Sequence, residues 1–342
     1  MLALIRGDRF DQVPFFEYEA MTPSDEAWEL VGRENLGRLR WTTAYRLEHP
    51  NCSIYSSESN TSIRSTQHRL KTPAGELTEF VQYEPTYGAG SIKDHYIKTL
   101  DDYEVFFSYL DDITVVPDAE PFERAVRELR QDGLPHTSID RTPYQALWIE
   151  WIGIADLAAH LVEAPGLVHS AMEKLGRLTM EMVRATKESS PPYLVIPDNI
   201  TAPMIGEDYF REYCLPWYES IAAEMGDIPI IVHMDGDLKP LWKAISQSSI
   251  RGLDSFSPKP DNDTSVAEAA DIWPDKVIML NFPSSVHICD SDTIYRTAME
   301  ILEQGGRTGR LQIQISENIP PGRFRTSYPA IAKAIHDFGD PF

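Results

Sequence analysis

The chain reads as an α/β protein, a barrel of alternating strands and helices with an antiparallel hairpin inserted in its N-terminal third. Three observations predict this. From about residue 140 onward, apolar runs of strand length alternate with longer segments of helical period, and repeated βα units imply a parallel sheet. The 342 residues suit a single barrel with insertions. Between about residues 52 and 98 the pattern changes to alternating Ser/Thr-rich and apolar segments around the turn Thr72-Pro-Ala-Gly75, as in a hairpin. No further repeat and no low-complexity segment interrupts the beat, so one domain over residues 1–342 is expected.

The elements follow in order. Gln12-Val-Pro-Phe-Phe-Glu-Tyr18 suits a first strand with Glu17 near its carboxyl end, and helices are expected over 101–110 and 121–131. Ala146-Leu-Trp-Ile-Glu-Trp-Ile152 reads as the next strand, followed by a helix over 155–162. Pro165 can open a further helix, in which Leu167, Ala171, Leu175, Leu178 and Met182 form one apolar stripe toward Thr186. Strands are then expected at 193–197, 228–233, 252–256, 276–282 and 310–315. Helices are expected at 207–225, after Pro240, and at 265–272, 291–304 and 328–338.

Composition excludes several classes. Thirty-one basic against fifty-three acidic residues leave a formal charge of −22, which repels nucleic acid and anionic membrane surfaces. Cys52, Cys214 and Cys289 are too few and too scattered for a disulfide framework or a clustered metal spacing, and a reducing cytoplasm is the natural setting. The amino terminus lacks the apolar region of a signal peptide, and no stretch approaches the ~20 apolar residues of a membrane span. A homodimer through a helix such as 207–225 is compatible with the sequence but has no signature.

Polar residues gather at three strand ends. In Ile228-Pro-Ile-Ile-Val-His-Met-Asp-Gly-Asp-Leu238, an apolar run ends in His233 and Asp235, two residues apart and so on one face of the strand. At the carboxyl end of a barrel strand, such side chains point into the active-site mouth. Taken alone, His233 also reads as a hydrogen-bonded structural residue. Glu317 and Asn318 follow the last strand in Ser316-Glu-Asn-Ile-Pro-Pro-Gly322, which is equally ordinary loop chemistry. Asp198 and Asn199 leave a strand in Ile196-Pro-Asp-Asn-Ile-Thr201, where an Asx turn is the plain alternative.

A run of marks in this same order resembles the uroporphyrinogen decarboxylase superfamily, specifically its zinc- and corrinoid-dependent methyltransferases. They are Arg9-Phe-Asp-Gln-Val-Pro-Phe, Lys71-Thr-Pro-Ala-Gly-Glu-Leu, Pro197-Asp-Asn-Ile-Thr-Ala-Pro-Met-Ile-Gly-Glu-Asp-Tyr-Phe210, His233-Met-Asp-Gly-Asp-Leu, Leu280-Asn-Phe-Pro and Glu317-Asn-Ile-Pro-Pro-Gly. The family fold is a (β/α)8 TIM barrel, in agreement with the beat. Decarboxylases of the family carry an arginine-rich segment after the first-strand Val-Pro that grips a tetrapyrrole. Here that place reads Phe15-Phe-Glu-Tyr-Glu-Ala-Met21, whose acids would repel a polycarboxylate by ~1 to 4 kcal/mol per close pair.

The resemblance implies a metal centre in which His233 matches the family histidine, Asp235 falls at its first cysteine and Glu317 falls near its second. His, Asp and Glu can hold zinc with an open fourth position, and they make a harder centre than thiolates, suited to an ether oxygen. The expected reaction moves a methyl group from a small donor, methoxylated or otherwise methylated, to the cobalt of a separate corrinoid protein. The partner must bring the cobalamin because the chain has no Asp-x-His-x-x-Gly pattern. Asp198 is a further catalytic candidate. Glu17 can serve as an additional ligand or contact substrate, Asn199 and Asn281 can orient it, and Tyr18, Tyr83, Tyr87, Trp148, Trp151 and Phe282 can line a flat pocket or simply pack. A decarboxylase of a small or tetrapyrrole acid, and a non-catalytic corrinoid or tetrapyrrole binder, stay open as alternatives.

Overall fold

Eight short strands run parallel in one sheet: β1 (Phe15–Tyr18), β2 (Gly37–Thr42), β3 (Gly133–Thr137), β4 (Leu194–Ile196), β5 (Ile230–His233), β6 (Gly252–Phe256), β7 (Val277–Asn281) and β8 (Leu311–Ile315). This computed structural model describes residues 1–22, 25–60, 63–86 and 88–342. The strand order is β4-β5-β6-β7-β8-β1-β2-β3. A parallel bridge from Ser138, just beyond β3, to Val195 in β4 brings the two ends of the sheet together. The barrel expected from the βα beat is therefore present.

Strands β4 to β8 are buried along their whole length. Parallel strands covered on both faces lose the polar alternation of half-exposed ones, which is why they read as continuous apolar runs. Gly252 begins β6 because a Cβ there would lie 2.5 Å from the Val277 carbonyl oxygen. The floor is plugged by the helix Leu2–Arg6, whose Leu4 and Ile5 pack with Leu39, Val195, Ile231, Val277 and Met279. Burying such a side chain fully is worth about 1.5–3 kcal/mol. Arg251, just before β6, ties this helix down by donating from Nε to the Ile5 carbonyl at 2.9 Å.

The outer helices obey local signals. Ser265 and Glu268 form a reciprocal capping box at the start of Val266–Ile272, and Asp290 caps Ser291–Gly305. The expected helix over 207–225 begins earlier, at Ala202. It is interrupted by Gly206 at φ 68 and by a π-helical turn at Phe210–Cys214, before resuming as Leu215–Met225. Pro216, which has no N–H to donate, accounts for the widened turn ahead of it.

The chain divides into two compact units: residues 1–44, 119–139 and 189–342, which hold the barrel, and residues 45–118 with 140–188. The second unit contains a four-stranded antiparallel sheet (Ser53–Asn60, Arg64–Thr72, Gly75–Tyr83 and Gly90–Asp94). The expected hairpin at Thr72–Gly75 is the centre of that sheet. A two-stranded ribbon pairs Tyr45–Glu48 with Thr114–Pro117. The helices Asp102–Asp112, Ile154–Glu163 and Pro165–Glu188 complete the unit.

One expectation is corrected, and two barrel strands were not anticipated. Residues 147–151 form not a strand but a π-helical turn continuing the helix Pro143–Ala146. Aromatic and β-branched residues suit a pleated surface in the abstract, yet Pro143 preorganises a helix start just upstream. The third barrel strand is instead Gly133-Leu-Pro-His-Thr137, where a proline and a histidine hide the strand signal. Strand β2, Gly37-Arg-Leu-Arg-Trp-Thr42, was hidden by its arginines. Among the described residues no helix is long and apolar enough to cross a membrane, and the three cysteines are free.

Candidate functional site

His233 ends β5 and lies opposite Asp254 of β6 in the parallel ladder. Its Nδ1 is 2.8 Å from Asp254 Oδ2. The same carboxylate accepts from the Tyr18 hydroxyl of β1 at 2.5 Å, from His136 Nε2 of β3 at 3.3 Å and, on Oδ1, from Gln314 Nε2 of β8 at 2.9 Å. Tyr193 OH lies 2.9 Å from His136 Nδ1. Four strands thus send polar side chains to one fully buried carboxylate inside the barrel, which a fifth strand carries. An ionised carboxylate only accepts, so Nδ1 of His233 must carry a proton, which turns Nε2 toward Asp235, 3.6 Å away.

The loop after β5 is held from two sides. Asn199, in the left-handed region at φ 49, donates from Nδ2 to Asp235 Oδ2 at 2.8 Å, and Asn262 donates to the Asp235 carbonyl at 2.7 Å. Gly236 is required by close approach, because a Cβ would sit 2.2 Å from Thr201 Cβ and 2.8 Å from its Cα.

Glu317 reaches the same place from β8. Asn281, the last residue of β7, accepts at Oδ1 from the backbone N–H of Ser316 and of Glu317 at 3.0 and 3.2 Å. Ser255, at φ 56 beside a register shift between β6 and β7, donates to Glu317 Oε1 at 3.2 Å. One ligand atom each from His233, Asp235 and Glu317 then lie within 4.8 Å of one another.

Electrostatics follow from burial and these neighbours. Burial disfavours the charged form of His233, but Asp235 and Asp254 outweigh it and raise the imidazole to about 10. Asp254 would be pushed up by its burial, yet His136 and His233 hold it well below the usual carboxylate range. Asp235 is likewise lowered against its burial, chiefly by His233. Glu317 is raised, first by burial and then by the Asp235 charge.

The donor set fits a divalent metal ion. Two carboxylates and an imidazole converge on one point, Asp254 orients the imidazole from behind in a carboxylate–histidine pair, and the repulsion between Asp235 and Glu317 is of the kind a cation relieves. Ligand atoms around zinc stand ~3.4 Å apart for bonds of ~2.1 Å, so small side-chain movements suffice.

The other sequence candidates divide. Tyr18 lies in the Asp254 network, and Asn199 and Asn281 brace Asp235 and Glu317 rather than projecting freely. Phe282 is buried edge-on to His287 at 5.2 Å. Asp198 is buried and accepts from the Tyr218 hydroxyl at 2.7 Å, which anchors the helix Leu215–Met225. Glu17 is buried with its carboxylate engaged by Thr22, Arg38 and Tyr328, and it is not in the three-residue cluster. Tyr83, Trp148 and Trp151 belong to the second unit, and Tyr87 lies outside the described residues.

Asp254, His136, Gln314, Ser255 and Trp41 were missed by the sequence reading. The signal for Asp254 was a charge inside Gly-Leu-Asp-Ser-Phe, and that for His136 and Trp41 lay in the two unrecognised strands. Trp41, 37% exposed, stands edge-on to His136 at 4.5 Å and 6.4 Å from His233, giving the cluster an aromatic wall.

In fold the chain is similar to a methyltransferase from Methanosarcina mazei, with a TM-score of 0.62 at 13% identity over 98% of this chain and 97% of that one. A B12-independent methionine synthase from Shewanella sp. W3-18-1, in complex with selenomethionine, aligns with a TM-score of 0.47 at 10% identity over 92% of this chain and 85% of that one. No curated protein matches the chain. The family model described as uroporphyrinogen decarboxylase matches residues 147–336, more than half of the sequence. The chain belongs to the uroporphyrinogen decarboxylase family.

Proposed function

We propose that the protein is a zinc-dependent methyltransferase, moving a methyl group from a small methoxylated donor to the cobalt of a separate corrinoid protein. The observation that carries this reading is the convergence of His233, Asp235 and Glu317 within 4.8 Å at the carboxyl ends of β5 and β8. Zinc bound there would supply Lewis acidity to the donor oxygen and weaken its bond to the methyl carbon. Asp254 orients the ring of His233, Asn281 and Ser255 brace Glu317, and Asn199 braces Asp235, so only small side-chain movements separate these groups from a closed ligand set. Trp41 offers an exposed ring beside them for a flat donor.

The alternative, decarboxylation of a polycarboxylate, is less well supported. Residues 15–21 contain Glu17 and Glu19 but no arginine, and Arg38, the nearest in the barrel ladder, donates from Nε to Glu17 at 3.0 Å.

The test is metal content per chain for wild type and Asp235→Ala, followed by methyl transfer from methoxylated donors to a reduced corrinoid protein. Close to one zinc in wild type, lost in the variant together with transfer, is expected. A wild-type protein that takes up no zinc when it is supplied would overturn the Lewis-acid reading and favour the decarboxylase.

A further inference from the structure

The second unit encloses a cavity of about 80 Å³, none of whose lining residues belongs to the His233 cluster. Its walls are mainly aliphatic, with two aromatic rings, Tyr109 and Trp151, whose centroids are 5.6 Å apart at an interplanar angle of 45°. Trp151 is itself backed by Phe106 at 4.5 Å and Tyr96 at 5.3 Å, so its ring is held in place.

Charge enters the cavity from one short segment. Asp140, Arg141 and Glu150 all line it. Arg141 Nη1 is 2.6 Å from Glu150 Oε1, so that pair is mutually compensated. Asp140 is an exposed residue by its overall surface, and its Oδ1 accepts from the Tyr45 hydroxyl at 2.8 Å. The lining therefore carries one more negative charge than positive.

A water-sized cavity holds ~10–15 Å³ on this measure, so about 80 Å³ takes a molecule of roughly five to eight heavy atoms. Aromatic faces attract cations, and quaternary ammonium groups are recognised by such rings together with acidic groups. An anion would have to displace Glu150 from Arg141 and then lie beside Asp140.

We propose that this cavity is a binding site for a small organic cation, its ammonium group seated against Tyr109 and Trp151 and facing Asp140, its apolar part among Leu110, Leu178 and Met182. The site does not depend on the methyl-transfer reading and adds a ligand that the barrel cluster does not explain.

The experiment is calorimetric titration of the full-length protein with three probes of nearly equal shape: choline, neutral 3,3-dimethylbutan-1-ol and anionic 3,3-dimethylbutanoate. Choline should bind at least tenfold more tightly than either analogue. Asp140→Asn keeps an acceptor for Tyr45 and should weaken choline about tenfold. Leu178→Trp, which fills the cavity, should abolish binding, while His233→Ala, outside the cavity, should leave it unchanged. Circular dichroism melts establish that each variant is folded, and Asp140→Asn, altered at an exposed residue, carries the test if Leu178→Trp does not fold. Equal affinity for choline and the neutral alcohol, preference for the anion, absence of choline binding, or choline binding lost in His233→Ala would each overturn the proposal.

Discussion

The Asp254 carboxylate lies directly behind His233, with Oδ2 2.8 Å from Nδ1 across the β5–β6 ladder. This one contact sets which imidazole nitrogen faces Asp235 and Glu317. It also explains why a fully buried acid is tolerated in the barrel, since three further donors, from Tyr18, His136 and Gln314, satisfy it.

Under the proposed zinc reading, Asp254→Asn should therefore weaken zinc binding without removing a proposed ligand. Loss of a carboxylate behind a metal-binding histidine costs about 10–100-fold in affinity. Competition titration with a zinc-sensitive dye checks this, and affinity within twofold of wild type would show that Asp254 does not position His233.

Asn281→Ala should act on Glu317 through the backbone. It leaves the N–H groups of Ser316 and Glu317 without their shared acceptor, at a cost of about 1–3 kcal/mol for a buried donor. Urea denaturation should show that loss together with weakened zinc binding. Asn281→Asp, which keeps an acceptor, should recover most of both, and a variant as stable as wild type would remove Asn281 from this role.

Gly236→Ala should disturb the Asp235 loop, because the new methyl group meets Thr201 at backbone as well as side chain. Overpacking of this kind costs about 1–3 kcal/mol. A lowered melting temperature and weaker zinc uptake are expected, and truncating Thr201 to Ala should relieve only part of the effect, since its Cα remains 2.8 Å away. An unchanged melt would mean that the loop yields freely.

The acid limb of stability should depend on His287. Burial lowers its imidazole from 6.5 to about 4, and neither ring nitrogen has a hydrogen-bond partner among the described residues. Because the unfolded chain takes up the proton first, His287 is without effect above pH 6.5, and its penalty grows as pH falls from 6.5 toward 4. At ~1.4 kcal/mol per pKa unit the ceiling is about 3 kcal/mol. Denaturation of wild type and His287→Leu at pH 7 and pH 4.5 checks this: the stability gap between the two pH values should narrow in the variant, and an unchanged gap would assign acid sensitivity to other groups.

Much of the candidate cluster was legible because it sits where local pattern is strongest. His233 closes and Asp235 follows an apolar strand, and Glu317 follows another buried one, so strand ends and candidate residues could be read together. Asp254 was not, because a charged residue within a strand carries no mark of its partners, which come from residues 18, 136, 233 and 314. Glu17 looked like a site residue by the same strand-end logic, but its side chain is bound to Arg38 and Tyr328.

By itself the sequence determined the alternation of strands and helices over the last 200 or so residues, the inserted antiparallel segment and the family, since periodicity and turn residues act over a few neighbours. Only the tertiary structure decided that residues 147–151 form a helical turn while Gly133–Thr137 supplies the third barrel strand. Only it decided that Asn199 and Asn281 brace the cluster, and that five strands share one buried carboxylate at Asp254. Those outcomes depend on which distant groups meet in a low-dielectric interior, where each buried donor and acceptor must find a partner, and no local pattern encodes that choice.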